Sequence, residues 1–170
     1  MGGNVKQLSG FALLLLAGLV YAGEVDLTWR SFDEALDLAM EQGKPFMVDF
    51  YTDWCHWCKV MDQKTFRDKE VAGILTEDFL ISRIHAEDGK ATVTYQGNTY
   101  TNIQFTRALR ISGFPSLAFF DSDGQPITII PGYIEPDMFR HILAYVRDGC
   151  YKQKMTFQEF LERKGECDEE

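Results

Sequence analysis

The chain has 170 residues, 45% of them hydrophobic and 25% charged, with a formal net charge of −9. That length suits one domain with a real core. The acidic balance excludes nucleic-acid or anionic-membrane binding through general electrostatics.

Lys6 precedes an apolar run from Phe11 to Val20 that ends in Val20-Tyr21-Ala22. A charged start, a short apolar stretch and small residues at −3 and −1 describe a secretory signal. The run is shorter than the roughly 20 residues a membrane span requires. Cleavage after Ala22 is expected, with an uncleaved anchor as the competing reading. Removing residues 1–22, whose sole charged side chain is Lys6, makes the chain one unit more negative. The compartment is then oxidising, periplasmic or secreted.

Ser31-Phe32-Asp33-Glu34 reads as a capping box, and Phe32, Ala35, Leu36, Ala39 and Met40 recur at helical spacing. Gly43 closes that helix. Pro45 to Tyr51 is a short apolar run with the character of a buried strand. Cys55-His56-Trp57-Cys58 follows, and Val60, Met61 and Phe66 continue in a helical pattern. Cys55 therefore falls at a strand-to-helix junction. A helix N-terminus lowers a thiol pKa through its free N–H groups and partial positive charge. Cys58, one turn further in, is expected to be the more buried sulfur, which resolves a mixed disulfide. Haem attachment would require His where Lys59 stands. A Cys-rich zinc site would require a second ligand pair, and the sequence has none. His85 and His141 have no predicted reason to converge on the cysteines, so neither a metal nor a cofactor is expected.

Asp68 is expected to cap a further helical segment through Leu75, and Phe79 to His85 reads as a strand. Strand, helix and strand imply a parallel pair at the sheet centre. Lys90 to Asn102 reads as a β-hairpin about Gln96-Gly97-Asn98, either a solvated decoration or a substrate-contacting flap. A short helix over Ile103–Leu109 precedes Gly113-Phe114-Pro115-Ser116. Pro136 suits a first helical position, with Phe139, Ile142, Leu143 and Val146 on one face. Thr156-Phe157-Gln158-Glu159 is another capping box and starts a C-terminal helix to about Lys164.

Val48-Asp49-Phe50, then an aromatic, then Trp-Cys-x-x-Cys-Lys resembles the active-site segment of the thioredoxin superfamily. Gly113 to Phe120 resembles its cis-proline loop and the following strand. Pro126 to Ile130, Gly132 and the helix from Pro136 resemble its last strand and helix. Lys64 to Val71 and Phe119 to Gly124 are similar to the C-terminal periplasmic domain of DsbD-type transporters and to small secreted SoxW-type proteins. The resemblance covers roughly Trp29 to Val146. It implies an α/β thioredoxin fold, with a central mixed β-sheet flanked by helices. The hairpin is then an insertion and the last helix an addition. The expected division is a signal peptide over 1–22, a thioredoxin-like domain over 23–149 and a helical extension over 150–170.

The resemblance also implies the chemistry. Cys55 and Cys58 are the redox pair, and Asp49 moves the proton of the second thiol. A carboxylate on a buried strand is costly and has a raised pKa, which suits that task. Arg83 aligns with a family lysine that approaches this Asp; the alternative is an exposed strand Arg. Trp54, His56, Trp57, Phe114 and Pro115 are expected at the substrate contact, with Pro115 cis. His56-Trp57 departs from thioredoxin's Gly-Pro, and a ring N–H or imidazolium near Cys55 favours the thiolate and a more oxidising disulfide. With Cys55 and Cys58 assigned, Cys150 and Cys167 remain to form a structural disulfide.

The expected function is a thiol-disulfide oxidoreductase, a reductase or electron relay acting on protein disulfides as a monomer. The resemblance implies a membrane electron donor of DsbD or CcdA type. The alternatives are a disulfide oxidant or isomerase, and a redox-inactive or metal-binding adaptor.

Overall fold

The computed structural model describes residues 26–167, so the expected signal segment lies outside the described residues. Ser31 caps the first helix, α1 (Phe32–Gln42), accepting the Glu34 N–H at 3.3 Å. The return half of the expected capping box is replaced by an ion pair of Glu34 with Arg30. Gly43 ends α1 in the left-handed conformation, φ 66°, where a Cβ would be strained. Phe32, Ala35 and Ala39 are its buried face, and the two alanines let the helix approach the sheet closely. Met40, expected on that face, is exposed, because the next residue turns about 100° around the axis.

The central sheet is built from β1 (Phe46–Tyr51), β2 (Leu80–His85), β5 (Ser116–Phe120) and β6 (Pro126–Pro131), in the order β2-β1-β5-β6. β1 pairs parallel with β2 and antiparallel with β5, so the sheet is mixed. The parallel pair is not central: among the described residues β2 is an edge strand, extended by a single bridge from Arg30 to Ser82. β1 and β5 are covered on both faces, and both therefore read as continuous apolar runs. Strand alternation divides their side chains. Met47, Leu117 and Phe119 face a core shared with Met61, Leu75, Phe139 and Leu143. Val48, Phe50, Ala118 and Phe120 face a second core with Phe32 and Phe105. Each of these Val, Leu, Met and Phe side chains, fully buried, contributes about 1.5–3 kcal/mol.

On the first face lie α2 (His56–Lys64), α3 (Lys69–Asp78) and α5 (Pro136–Arg147). α3 is separate from α2 and begins at Asp68, which caps the Glu70 and Val71 N–H groups. The inserted hairpin, β3 (Thr92–Tyr95) and β4 (Asn98–Thr101), turns through Gln96 and Gly97, both at positive φ. Such a turn matches the twist of the two strands. One face of the hairpin is packed and the other is exposed. Val93 and Tyr95 are buried in the second core, and the Thr94 N–H donates to Asp33 at 2.8 Å. The next helix, α4 (Asn102–Ala108), starts one residue earlier than its pattern suggests, because Thr101 and Gln104 form a reciprocal capping box.

A short 3₁₀ turn over Cys150–Gln153 precedes the last helix, α6 (Phe157–Glu162). Thr156 and Glu159 form the expected box, and Phe160 is buried beside Tyr145 of α5. A disulfide joins Cys150 to Cys167 across this extension. Among the described residues no helix is long and apolar enough to cross a membrane.

Candidate active site

β1 ends at Tyr51, and the chain turns through Thr52–Trp54 into α2. Cys55 is the N-cap of that helix, with extended backbone (φ −70°, ψ 104°). Its sulfur accepts the Cys58 N–H at 3.0 Å and is bonded to the Cys58 sulfur. A backbone donor and the positive end of the helix thus act on Cys55 and stabilise negative charge there. The expected contrast in burial is absent: Cys55 is 2% and Cys58 3% exposed in this disulfide form. Cap position, not exposure, distinguishes the two sulfurs.

Two tryptophans flank the disulfide, Trp54 67% and Trp57 53% exposed. Trp54 donates its indole N–H to Glu87 at 3.0 Å and meets the Phe114 ring edge-on. Trp57 stacks on Tyr133 at 5.3 Å between ring centroids, and the Tyr133 hydroxyl donates to Glu135. His56 is exposed and contacts the Trp57 ring edge-on. The Phe114–Pro115 peptide bond is cis, and the Pro115 carbonyl accepts the Gly132 N–H at 2.7 Å.

Behind the disulfide, Asp49 is buried on the β1 face that carries α2, two residues beyond Met47. Its Oδ2 accepts from Arg83 Nε at 2.9 Å and from an Arg83 terminal nitrogen at 2.8 Å; its Oδ1 is buried with no hydrogen-bond partner among the described residues. Burial pushes the Asp49 pKa up to about 6; the Arg83 guanidinium opposes the shift without cancelling it, and Asp62 adds to it. Arg83 is not a plain exposed strand residue. It also bonds Asp62 at 2.5 Å and lies over the rings of Trp29 and Tyr51, at 4.9 and 4.7 Å.

Asp62 and Trp29 were not apparent as site residues in the sequence. Asp62 had a signal: it stands one helical turn after Cys58, on the same side of α2. His85 pairs with Asp53 at 3.3 Å, and His141 lies exposed on α5. Among the described residues no three His, Cys, Asp or Glu side chains converge as a metal site.

A mixed sheet with a disulfide at the start of its first-face helix defines a thioredoxin-type protein. Residues 32–147, well over half the chain, match the family model of the thioredoxin-like domain, and the chain belongs to that family. It is 31% identical over 122 residues to the thiol:disulfide interchange protein DsbD of Escherichia coli K12, covering 70% of this chain and 19% of that protein. It is 34% identical over 104 residues to DsbD of Salmonella typhi, covering 60% and 17%. The chain thus spans under a fifth of the length of these relatives. Among solved structures, the reduced DsbD C-terminal domain of Neisseria meningitidis is similar at a TM-score of 0.50 and 25% identity, covering 65% of this chain and 89% of that one.

Proposed function

We propose that the chain is a thiol-disulfide oxidoreductase that works as a reductase or electron relay on protein disulfides. The observation that carries this reading is the Cys55–Cys58 disulfide at the N-cap of α2, with the half-paired Asp49 carboxylate buried on the strand beneath. In the reduced protein the Cys55 thiolate attacks a substrate disulfide. One substrate sulfur leaves as a thiol and the other is held to Cys55. Cys58 then attacks Cys55, releasing the second substrate thiol and restoring the Cys55–Cys58 disulfide. Cys58 must lose a proton for that step, and Asp49 Oδ1 accepts it. Trp54, His56, Trp57, Phe114 and Pro115 form the surface on which the substrate segment rests.

Two electrons must be returned for each turnover. The likeness to DsbD supports a membrane donor of DsbD or CcdA type and a periplasmic setting, with the chain acting as a monomer. Cys150–Cys167 is the structural bridge of the extension.

Equilibration of Cys55–Cys58 with a glutathione buffer tests the direction. A potential near about −270 mV supports the reductase, whereas one near about −120 mV assigns the protein as an oxidant.

A further inference from the structure

A groove of about 810 Å³ runs between β6, α5 and the C-terminal extension. Ile127 and Ile130 of β6, Met138 and Ile142 of α5, and Tyr151 and Phe157 of the extension supply its apolar walls. Tyr133 and Glu135 also line it. Tyr133 is also the ring on which Trp57 stacks, two residues from Cys55. The groove and the redox surface are therefore continuous through one side chain. Trp57 and Met138 are two of the four large apolar side chains left exposed among the described residues. Exposed apolar area of this kind, bordered by polar residues, is characteristic of contact surfaces.

The surroundings define the chemistry of the occupant. Glu135 lines the groove, Asp53 stands in the turn before Cys55, and Glu87 is held by Trp54 of the same turn. The chain as a whole carries −9. A partner with basic residues beside its cysteine is favoured on encounter. Sheet-to-sheet pairing with a second copy is not favoured. β6 is an edge strand with Pro126 and Pro131 at its two ends, which leaves a four-residue edge.

We propose that this groove docks an extended apolar segment, flanked by Lys or Arg, of the protein that exchanges its disulfide at Cys55. The proposal rests on the reading of Cys55 as the attacking thiol. A partner joined to Cys55 lies over Trp57, and its neighbouring residues are then delivered to the groove at Tyr133. Met138 and Ile130 receive its aliphatic side chains, and Glu135 its cation.

The test uses the Cys58→Ser protein, which cannot resolve a mixed disulfide. Two sets of peptides are supplied as mixed disulfides with 2-mercaptoethanol. One set carries Cys, a Gly-Ser spacer of two, four or six residues, and then Lys-Ile-Val-Leu. The control set has Ser in place of the three aliphatic residues. Cys55 attacks the peptide sulfur, a Cys55–peptide disulfide forms, and mercaptoethanol leaves as its thiol. For at least one spacer, the apolar peptide should be captured about ten-fold more than its control at equilibrium, equivalent to about 1.4 kcal/mol. Met138→Asp, at a 43% exposed position, should bring that ratio close to one. Peptide capture should also shift the amide resonances of Ile130, Tyr133 and Tyr151, a readout that needs no groove variant. Equal capture of both sets, or shifts confined to the surroundings of Cys55, overturns the groove. Shifts at the same residues that grow with protein concentration, without peptide, assign the surface to a second copy and overturn it too. Capture of neither set overturns the assignment of Cys55 itself.

Discussion

Arg83 and Asp49 sit opposite each other on neighbouring parallel strands, and the guanidinium holds one carboxylate oxygen with two N–H groups while leaving the other bare. The pair is half of a proton carrier's requirement: one oxygen is anchored and the second is open to receive a proton. Arg83 is itself shared with Asp62 and flanked by two aromatic rings, so its position is well determined.

Arg83→Met should therefore act on Asp49 as well as on packing. Without the guanidinium, burial is less opposed, and the Asp49 pKa should rise above its present value of about 6. Removing one partner of a buried pair costs roughly 3–5 kcal/mol when the other stays charged. The loss should be smaller at pH 5, where Asp49 is protonated, than at pH 8. Thermal unfolding at the two pH values checks this; an equal loss at both would rule out the coupling.

Asp49→Asn addresses the same group from the other side. The unfolded chain releases this proton near pH 3.8, the folded chain at about 6. The folded state binds more protons in that window, so wild-type stability falls as pH rises from about 4 to about 6. The shift corresponds to about 3 kcal/mol. The variant lacks this loss, and its stability relative to wild type should increase across the window and then level off. Its turnover should be slow and should lack the acid limb near pH 6 expected of the wild type. A variant with wild-type rates and pH profile would remove Asp49 from the mechanism.

The order of attack follows from the cap. Cys58→Ser should accumulate mixed disulfides with protein substrates, because the Cys55 thiolate is stabilised by the helix start and nothing displaces the substrate. Cys55→Ser should accumulate none. Non-reducing gels after acid quenching distinguish the two, and the opposite pattern would reverse the assignment.

The second disulfide should behave differently from the first. Mild dithiothreitol should reduce Cys55–Cys58 and leave Cys150–Cys167 intact, as read by stepwise alkylation and mass spectrometry. Breaking it with Cys167→Ser should cost about 3 kcal/mol, the chain-entropy value for a loop of this length. Alkylation of Cys150 and Cys167 in the native, oxidised protein would show that the bridge is absent in solution.

The fold was legible where local pattern and tertiary environment agree. The runs Phe46–Tyr51 and Ser116–Phe120, the caps at Ser31, Asp68 and Thr156, and the Cys-x-x-Cys spacing each carry their own signal. Relations across the fold were less legible. Met40 has the spacing of a buried residue yet lies off the packed face. The hairpin's sequence gives its strands but not that Tyr95 would reach the Gly124 carbonyl and close the second core. The equal burial of Cys55 and Cys58 is set by tertiary packing, which spacing does not encode. Asp62 is one acid among many until Arg83 is placed between it and Asp49.

Phe32 touches the rings of Phe46, Tyr95, Phe105 and Phe120, and the residue after it binds the hairpin backbone at Thr94. Opening of the inserted strands should therefore be coupled to detachment of α1. Thr94 should then exchange at the rate of the α1 amides, and helix and insertion should open together as a single foldon.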